Sequence, residues 1–598
     1  MKGLKGKAAL CLVSILFVGA FFRFYGLRIG FPFEFHVDEW FIVRSVLEMY
    51  ALGTFKPPAF DYPSLIYYLL LAGAYIVGLF KTPESYDLHL LGRAVSACFG
   101  TATIAVVYLT GRRAYGLRAG LLAAAFYACT VTALRESHYY TTDSVNTFFI
   151  SLSIYFILRV ATGDDARQYL YAAVAIGLAA GSKYNGAFLV VPLVVAHAAR
   201  ASGARRDNDS AGKSNVGESS DEIAARSNEI AAESNEIGAR SDKRAASVLK
   251  STVRRLLGVR LLAAALLSLV VFFLTTPYAL IDRAAFTKDL TKMSAALSRR
   301  IVEANHHYIG TTPYWYYIEN LLFWAMGPLL EAASLCGLLY ALWRHRRQDI
   351  VVVVWLLVYF YVVGGWLNKA VRYTLPMLPM LALLAATMFV ELREGFARRG
   401  RRTAALVISA FALTTLATSF LYACAYMSIY AHPHTSLQAT SWAYANIPQG
   451  STILLEAPTA QERPPIDGDV LIPGGDPHGF DPRRFRFVYL DVPKLIPKDD
   501  ALEAEQRAEL RSKLESADFI IMSMRWYEGL VRSPEASPVI RDYYRSLMEG
   551  SSDFEPVREL SSYPRLFGLE IRDDAAELNF RIFDHPKVWI FRRKEGSR

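Results

Sequence analysis

Cysteine is scarce in this chain, with five in 598 residues: Cys11, Cys98, Cys129, Cys336 and Cys424. All fall within or beside apolar runs, and no pair has metal-ligand spacing. They read as inert buried thiols, not as a zinc site. None follows Cys424, so whatever folds after that point does so without disulfides. Also missing is a basic stripe interleaved with aromatics. Lys and Arg total 65 against 55 Asp and Glu, a net charge of +10, yet these cations cluster at the ends of apolar runs. That pattern fixes orientation in a membrane and argues against a nucleic-acid partner. No small-residue cleavage site follows the first apolar run, Ala8–Leu27, so the run is expected to stay as a first helix. Charges are few in mid-run. This argues against a lipid-linked glycan flippase or transporter, which needs ionisable groups near the midplane.

What the chain does have is apolar length. Hydrophobic residues make up 53% of it, concentrated before about residue 430. The spacing predicts an α-helical polytopic membrane protein of about eleven spans, residues 1–430, followed by a soluble α/β domain, residues 431–598. The spans are Ala8–Leu27, Arg93–Thr110, Leu117–Leu134, Val145–Val160, Tyr169–Gly181, Ala187–Ala199, Leu261–Leu280, Ile318–Trp343, Ile350–Leu367, Tyr373–Val390 and Thr403–Tyr430. If Ser64–Phe80 also crossed, the basic clusters at Lys2/Lys5/Lys7 and Arg112/Arg113/Arg118 could not both be cytoplasmic. It is therefore read as surface-lying or re-entrant. With that choice every basic cluster is inside, and the C-terminal domain is extracytoplasmic on a plasma (inner) membrane. Residues 201–250 form a polar cytoplasmic insertion with a seven-residue repeat: SDEIAAR, SNEIAAE, SNEIGAR. Three such units are too few and too polar for a coiled coil, and a disordered linker is expected.

The outer loops then hold the ionisable residues. The first reads FPFEFHVDEWF, with His36, Asp38 and Glu39, followed by Asp61 in DYPSL and by Arg93 at the next helix start. The second, RESHYYTTDS, carries Arg135, Glu136, His138, Tyr139 and Asp143. Lys183 stands in GSKYNG, His306 and His307 in NHHYIG, and Lys369 and Arg372 in NKAVRYTLPMLP. A carboxylate near the headgroups suits proton abstraction from a hydroxyl, and neighbouring cations suit a phosphate that gains charge on leaving. Adjacent Asp38 and Glu39 in an extended loop point apart, so one is expected to be catalytic and the other structural.

In order and sidedness, HVDEW, YPSL, Arg93, HYYTTD, GSKYNG and RYTLPMLP resemble the GT-C superfamily of integral membrane glycosyltransferases. The likeness is to its polyprenyl-phosphate-sugar-dependent branch of protein O-mannosyltransferases and aminoarabinose transferases. The resemblance implies an inverting transfer of sugar from a polyprenyl-phosphate carrier to a hydroxyl acceptor on the outer face. It makes Asp38 the catalytic carboxylate beside Glu39, and places Lys183, Arg372 and Arg93 near the donor phosphate. Asp143, His138 and Tyr139 become a second-loop site. A divalent metal is left open, with Asp38 and Asp143 as candidate ligands. YPSL departs from the family's usual double proline. The implied partners are the lipid-linked donor, membrane lipids and a hydroxyl acceptor. A non-catalytic assembly subunit could dispense with these acids, and their presence counts against it.

Overall fold

The computed structural model describes residues 2–163, 165–200, 258–298, 307–457, 460–472, 480–496, 502–531 and 536–596. The seven-residue repeat and His306 lie outside them.

Up to residue 427 the described residues are mainly helical. Five helices are long and apolar enough to cross a membrane: Gly6–Phe24, Ser85–Tyr115, Thr142–Thr162, Arg347–Gly364 and Arg402–Asn446. A bent pair, Tyr317–Met326 and Pro328–Arg344, adds a sixth if it counts as one span; its halves meet at 118° across Gly327. Among the described residues, length and composition alone identify five or six crossings, and the count of about eleven that hydropathy suggested is not confirmed. Several expected spans are shorter apolar helices: Leu117–Ala128 and Val259–Thr275. Leu65–Gly78 is another, and at 14 residues it is about 21 Å long, short of a ~30 Å hydrocarbon core. It packs instead on the helix Val37–Ala51 through Ile66, Tyr67, Leu70 and Leu71, which meet Ile42, Val43 and Val46.

The core of this part is the helix Leu378–Arg398, with every side chain from Leu378 to Phe389 buried. Helices Leu117–Ala128, Pro328–Arg344 and Arg402–Met427 surround it. Close approach of Ser85–Tyr115 to Leu117–Ala128 depends on Gly120, where a Cβ would sit 2.6 Å from the Arg112 nitrogen. The basic clusters at one end are tied down: Arg344 to Asp349 at 2.7 Å, Arg346 to Glu391 at 2.8 Å, and Arg118 to Glu394 at 2.8 Å.

After residue 446 comes a five-stranded sheet. Thr452–Ala457 pairs in parallel with Arg486–Asp491 on one side and Phe519–Ser523 on the other. Val588–Arg593 joins Phe519–Ser523 antiparallel, and Phe554–Leu560 forms the edge. Each strand alternates its side chains between two cores. Leu454, Ile520 and Met522 pack under the helices, while Ile453, Leu455 and Ile521 pack against the helix Thr435–Asn446. Among the described residues, the sheet domain meets the loops between helices in at least two places. Glu34 N–H donates to Val470 O and Ile472 N–H to Pro32 O, both at 2.9 Å. A second contact runs through residues 573–585, described next.

Candidate active site

Asp38 and Glu39 do not lie in an extended loop. They open the helix Val37–Ala51, where carboxylates complement the unpaired N–H groups. Successive helical residues point about 100° apart, so the two acids face different surroundings. Glu39 turns inward. Its oxygens receive Arg93 Nε at 2.9 Å and Nη2 at 2.7 Å, plus Tyr140 N–H at 2.9 Å. Arg93 Nη1 donates to the carbonyls of Leu27 and Ile29 at 2.8 and 2.9 Å. Phe31 and Tyr139 cover the guanidinium at 4.6 and 5.2 Å. Four of about five guanidinium donors are used inside the protein, so Arg93 holds the first loop and does not reach the cavity below.

Asp38 turns toward Arg372, which donates to its carboxylate, and toward the Tyr62 hydroxyl. Burial would raise the Asp38 pKa, but Arg372, His36 and the Tyr62 hydrogen bond outweigh it and hold the carboxyl at about 2. His36 is enclosed between Tyr139 at 4.8 Å and Phe583 at 4.2 Å, with neither ring nitrogen hydrogen-bonded. Burial pushes it down to about 4, so it is neutral near pH 7.

Beside Arg372 opens a cavity of about 170 Å³. Asp143, Lys183, Asp61 and Tyr62 line it, together with Tyr373, Trp366, Met293 and Leu297. Asp143 starts the helix Thr142–Thr162, where the Thr141 side chain accepts its N–H. Its carboxylate receives the Lys183 ammonium at 2.7 Å. Lys183 leaves the helix Arg167–Ser182 in extended conformation and is followed by the 3₁₀ turn Tyr184–Leu189. That turn folds flat on the helix because Gly186 has no Cβ; one there would lie 2.3 Å from Ala179 C. Lys183 Nζ also stands 5.2 Å above the Tyr373 ring. Burial raises the Asp61 pKa, with Lys292 opposing it.

The structure therefore brings Asp38, Asp143, Lys183 and Arg372 together, and leaves Glu39, Arg93, His138 and Tyr139 behind them. His138 places its ring nitrogens 2.8 Å from the Leu134 and Tyr25 carbonyls and stacks on Tyr430 at 3.9 Å. Tyr139 donates to Phe583 O at 2.7 Å. Both tie the second loop to its surroundings. Arg135 does so too, through Asp584 at 2.7 Å and Asn579 O at 2.6 Å. Its neighbour Glu136 is fully buried, and burial raises its pKa against the pull of Arg135. His307 packs on Tyr308 at 3.8 Å and beside Gly529. Tyr62 and Tyr373 stand in the YPSL and RYTLPMLP motifs without having been given a role, and Trp366 gave no signal in the sequence beyond being aromatic. Lys369 was visible there without a role. It is 1% exposed, donates to Leu367 O at 3.1 Å, and burial pushes it down to about 8.

As a metal site the donors fit poorly. Among the described residues no three His, Cys, Asp or Glu converge, and Asp38 and Asp143 each already hold a cationic side chain.

Residues 63–211 match the family model described as dolichyl-phosphate-mannose-protein mannosyltransferase. No curated protein matches the chain. Among solved structures, the apo Archaeoglobus fulgidus oligosaccharyltransferase is 13% identical with a TM-score of 0.49, over 98% of this chain and 89% of that one. ArnT from Cupriavidus metallidurans bound to undecaprenyl phosphate is 12% identical at 0.45, over 98% of each chain. The S. cerevisiae protein O-mannosyltransferase Pmt1–Pmt2 complex bound to the sugar donor is 20% identical at 0.30, over 45% of this chain and 34% of that one. The match over residues 63–211, which holds all of YPSL but its tyrosine, with HYYTTD and GSKYNG, bears out the resemblance to the GT-C superfamily of polyprenyl-phosphate-dependent glycosyltransferases.

Proposed function

We propose that the protein is an inverting glycosyltransferase that moves a sugar from a polyprenyl-phosphate carrier to a hydroxyl acceptor on the outer membrane face. One observation carries this reading. Two acid–base pairs, Asp38–Arg372 and Asp143–Lys183, converge on one aromatic-lined cavity at the ends of apolar helices.

Arg372 and Lys183 are the cations a departing phosphate needs, and both lie where a carrier with its chain in the bilayer would present it. Arg372 in the resting site neutralises Asp38. A donor phosphate competes for the same guanidinium, which frees the Asp38 carboxylate and raises its proton affinity. Asp38 can then take the acceptor hydroxyl's proton as the oxygen attacks the anomeric carbon and the carrier phosphate leaves on the opposite side. Trp366, Tyr373 and Tyr62 supply flat apolar faces for a sugar ring. Because the cavity is about 170 Å³, a single sugar suits it better than a preassembled oligosaccharide. Under this reading the catalytic part is residues 1–430 and the domain 431–598 is extracytoplasmic.

The test is transfer by the purified protein from a polyprenyl-phosphate-linked sugar, followed by mass spectrometry of products with native, Asp38→Asn and Lys183→Ala protein. Native-level transfer by both variants would end this assignment.

A further inference from the structure

The turn that carries Arg372 is not held by the membrane part alone. Val371–Thr374 is a single 3₁₀ turn, and the first N–H of such a turn has no partner inside it. Here the partner comes from the soluble domain. Val371 N–H donates to Glu577 Oε2 at 3.1 Å. Glu577 is 2% exposed and is fixed from every side. Its Oε1 accepts from the Tyr308 hydroxyl at 2.6 Å and from Asn579 N and Nδ2 at 2.8 Å each. Asn320 clamps the backbone on either side, accepting Glu577 N–H at 2.9 Å and donating to Ala575 O at 2.7 Å. One residue beyond Val371, the Arg372 guanidinium lies on Asp38 and lines the cavity.

We propose that Glu577 is a positioning residue for the donor-phosphate site: it fixes the Val371 amide and so aims Arg372, making the soluble domain part of the donor pocket. This rests on the reading that Arg372 meets the carrier phosphate. An ionised carboxylate is a stronger acceptor for an amide than water or a carbonyl, so it sharpens the direction of the whole turn. No contact between Glu577 and substrate is required.

The experiment uses the full chain in lipid nanodiscs and a polyprenyl monophosphate as probe, alongside transfer kinetics. Glu577→Gln puts an amide where two acceptor oxygens are needed. It is expected to weaken polyprenyl monophosphate binding and raise the donor KM about tenfold, with the acceptor KM within about twofold. Added to Arg372→Ala, it should cost nothing further. Val371→Pro deletes the N–H from the other side. Position N1 of the turn tolerates proline, and Ala370 at φ −74°, ψ 141° already has the conformation a following proline requires. It should reproduce the donor defect, so the idea remains testable if Glu577→Gln folds poorly. Tyr308→Phe keeps the Val371 bond and should leave donor affinity near native. Native donor affinity in Val371→Pro, or equal losses for donor and acceptor in Glu577→Gln, would overturn the proposal. If Arg372→Ala itself leaves polyprenyl monophosphate binding unchanged, the failure lies instead with the functional reading.

Discussion

Asp38 and Glu39 are neighbours in sequence, and each faces an arginine, yet their two ion pairs are different objects. The Glu39–Arg93 side chains are each 1% exposed; those of Asp38 and Arg372 are 21% and 20% exposed. The first pair is sealed, bidentate and completed by backbone groups. The second borders a cavity, and Arg372 retains an Nε without a hydrogen bond. A sealed pair cannot exchange partners without exposing a buried charge, so it serves as a fastener. An open pair can surrender one partner to a ligand. Identity of residue type therefore says little; access to the cavity decides which acid can work.

Four experiments would break or sharpen this contrast. The largest effect is expected from Asp38→Asn, which keeps the shape but removes the proton acceptor. Turnover should fall by about 10²–10⁴-fold while expression and thermal midpoint hold. An Asp38→Asn protein with normal turnover and a dead Asp143→Asn counterpart would move the base to the second loop.

Glu39→Gln should behave the opposite way. It strands Arg93 in a buried site, at a cost of about 3–5 kcal/mol, and should show as lost expression or a lowered unfolding midpoint before any catalytic defect. A stable Glu39→Gln protein with impaired turnover would contradict the fastener role.

Lys183→Ala removes a charge-assisted contact in the cavity worth about 1.5–3 kcal/mol, so donor use should weaken roughly tenfold or more in initial-rate assays.

The smallest effect concerns pH. Asp38 titrates at about 2, below its ordinary range near about 3.9, because Arg372 favours the charged form. A depressed carboxylate contributes stability that is present above its unfolded pKa and lost as pH falls through about 2. The native kcat/KM profile should thus show no acid limb from Asp38 between about pH 5 and 8. Arg372→Gln removes the guanidinium and lets the carboxyl rise, so an acid limb should enter the weakly acidic range. An unchanged profile in that variant would show that Arg372 does not set the titration.

Much of the site was readable because chemistry at a membrane surface collects charge at the ends of apolar runs. Asp38, Asp143, Lys183 and Arg372 stand at such ends, and three of them line or border one cavity with the fourth directly behind. Arg93 was read as opening a helix and as a phosphate ligand, but it lies inside the helix Ser85–Tyr115. What distinguishes it is Glu39, 54 residues away, and no local pattern carries that information. The α/β character of the C-terminal domain was legible, and its strands at Thr452–Ala457, Phe519–Ser523 and Val588–Arg593 are short apolar runs. The bend in one expected span was not legible, since hydropathy does not register where a helix breaks: the 118° angle at Gly327 is a tertiary fact. Nor could the aromatic lining be seen, because Tyr62, Trp366 and Tyr373 look like any interfacial aromatic until the loops meet.

The contact between Arg135 and Asp584 spans 449 positions, and this bears on when the protein can first act. Contacts of such separation close late, since the intervening chain must be made and folded before they form. A growing chain can insert its helices and assemble Asp143, Lys183 and Arg372 long before residues 573–585 exist. Until those residues arrive, the second loop lacks the anchor of Arg135, and the Arg372 turn lacks its carboxylate. Under the proposed function, a chain truncated before residue 573 should insert normally yet transfer no sugar.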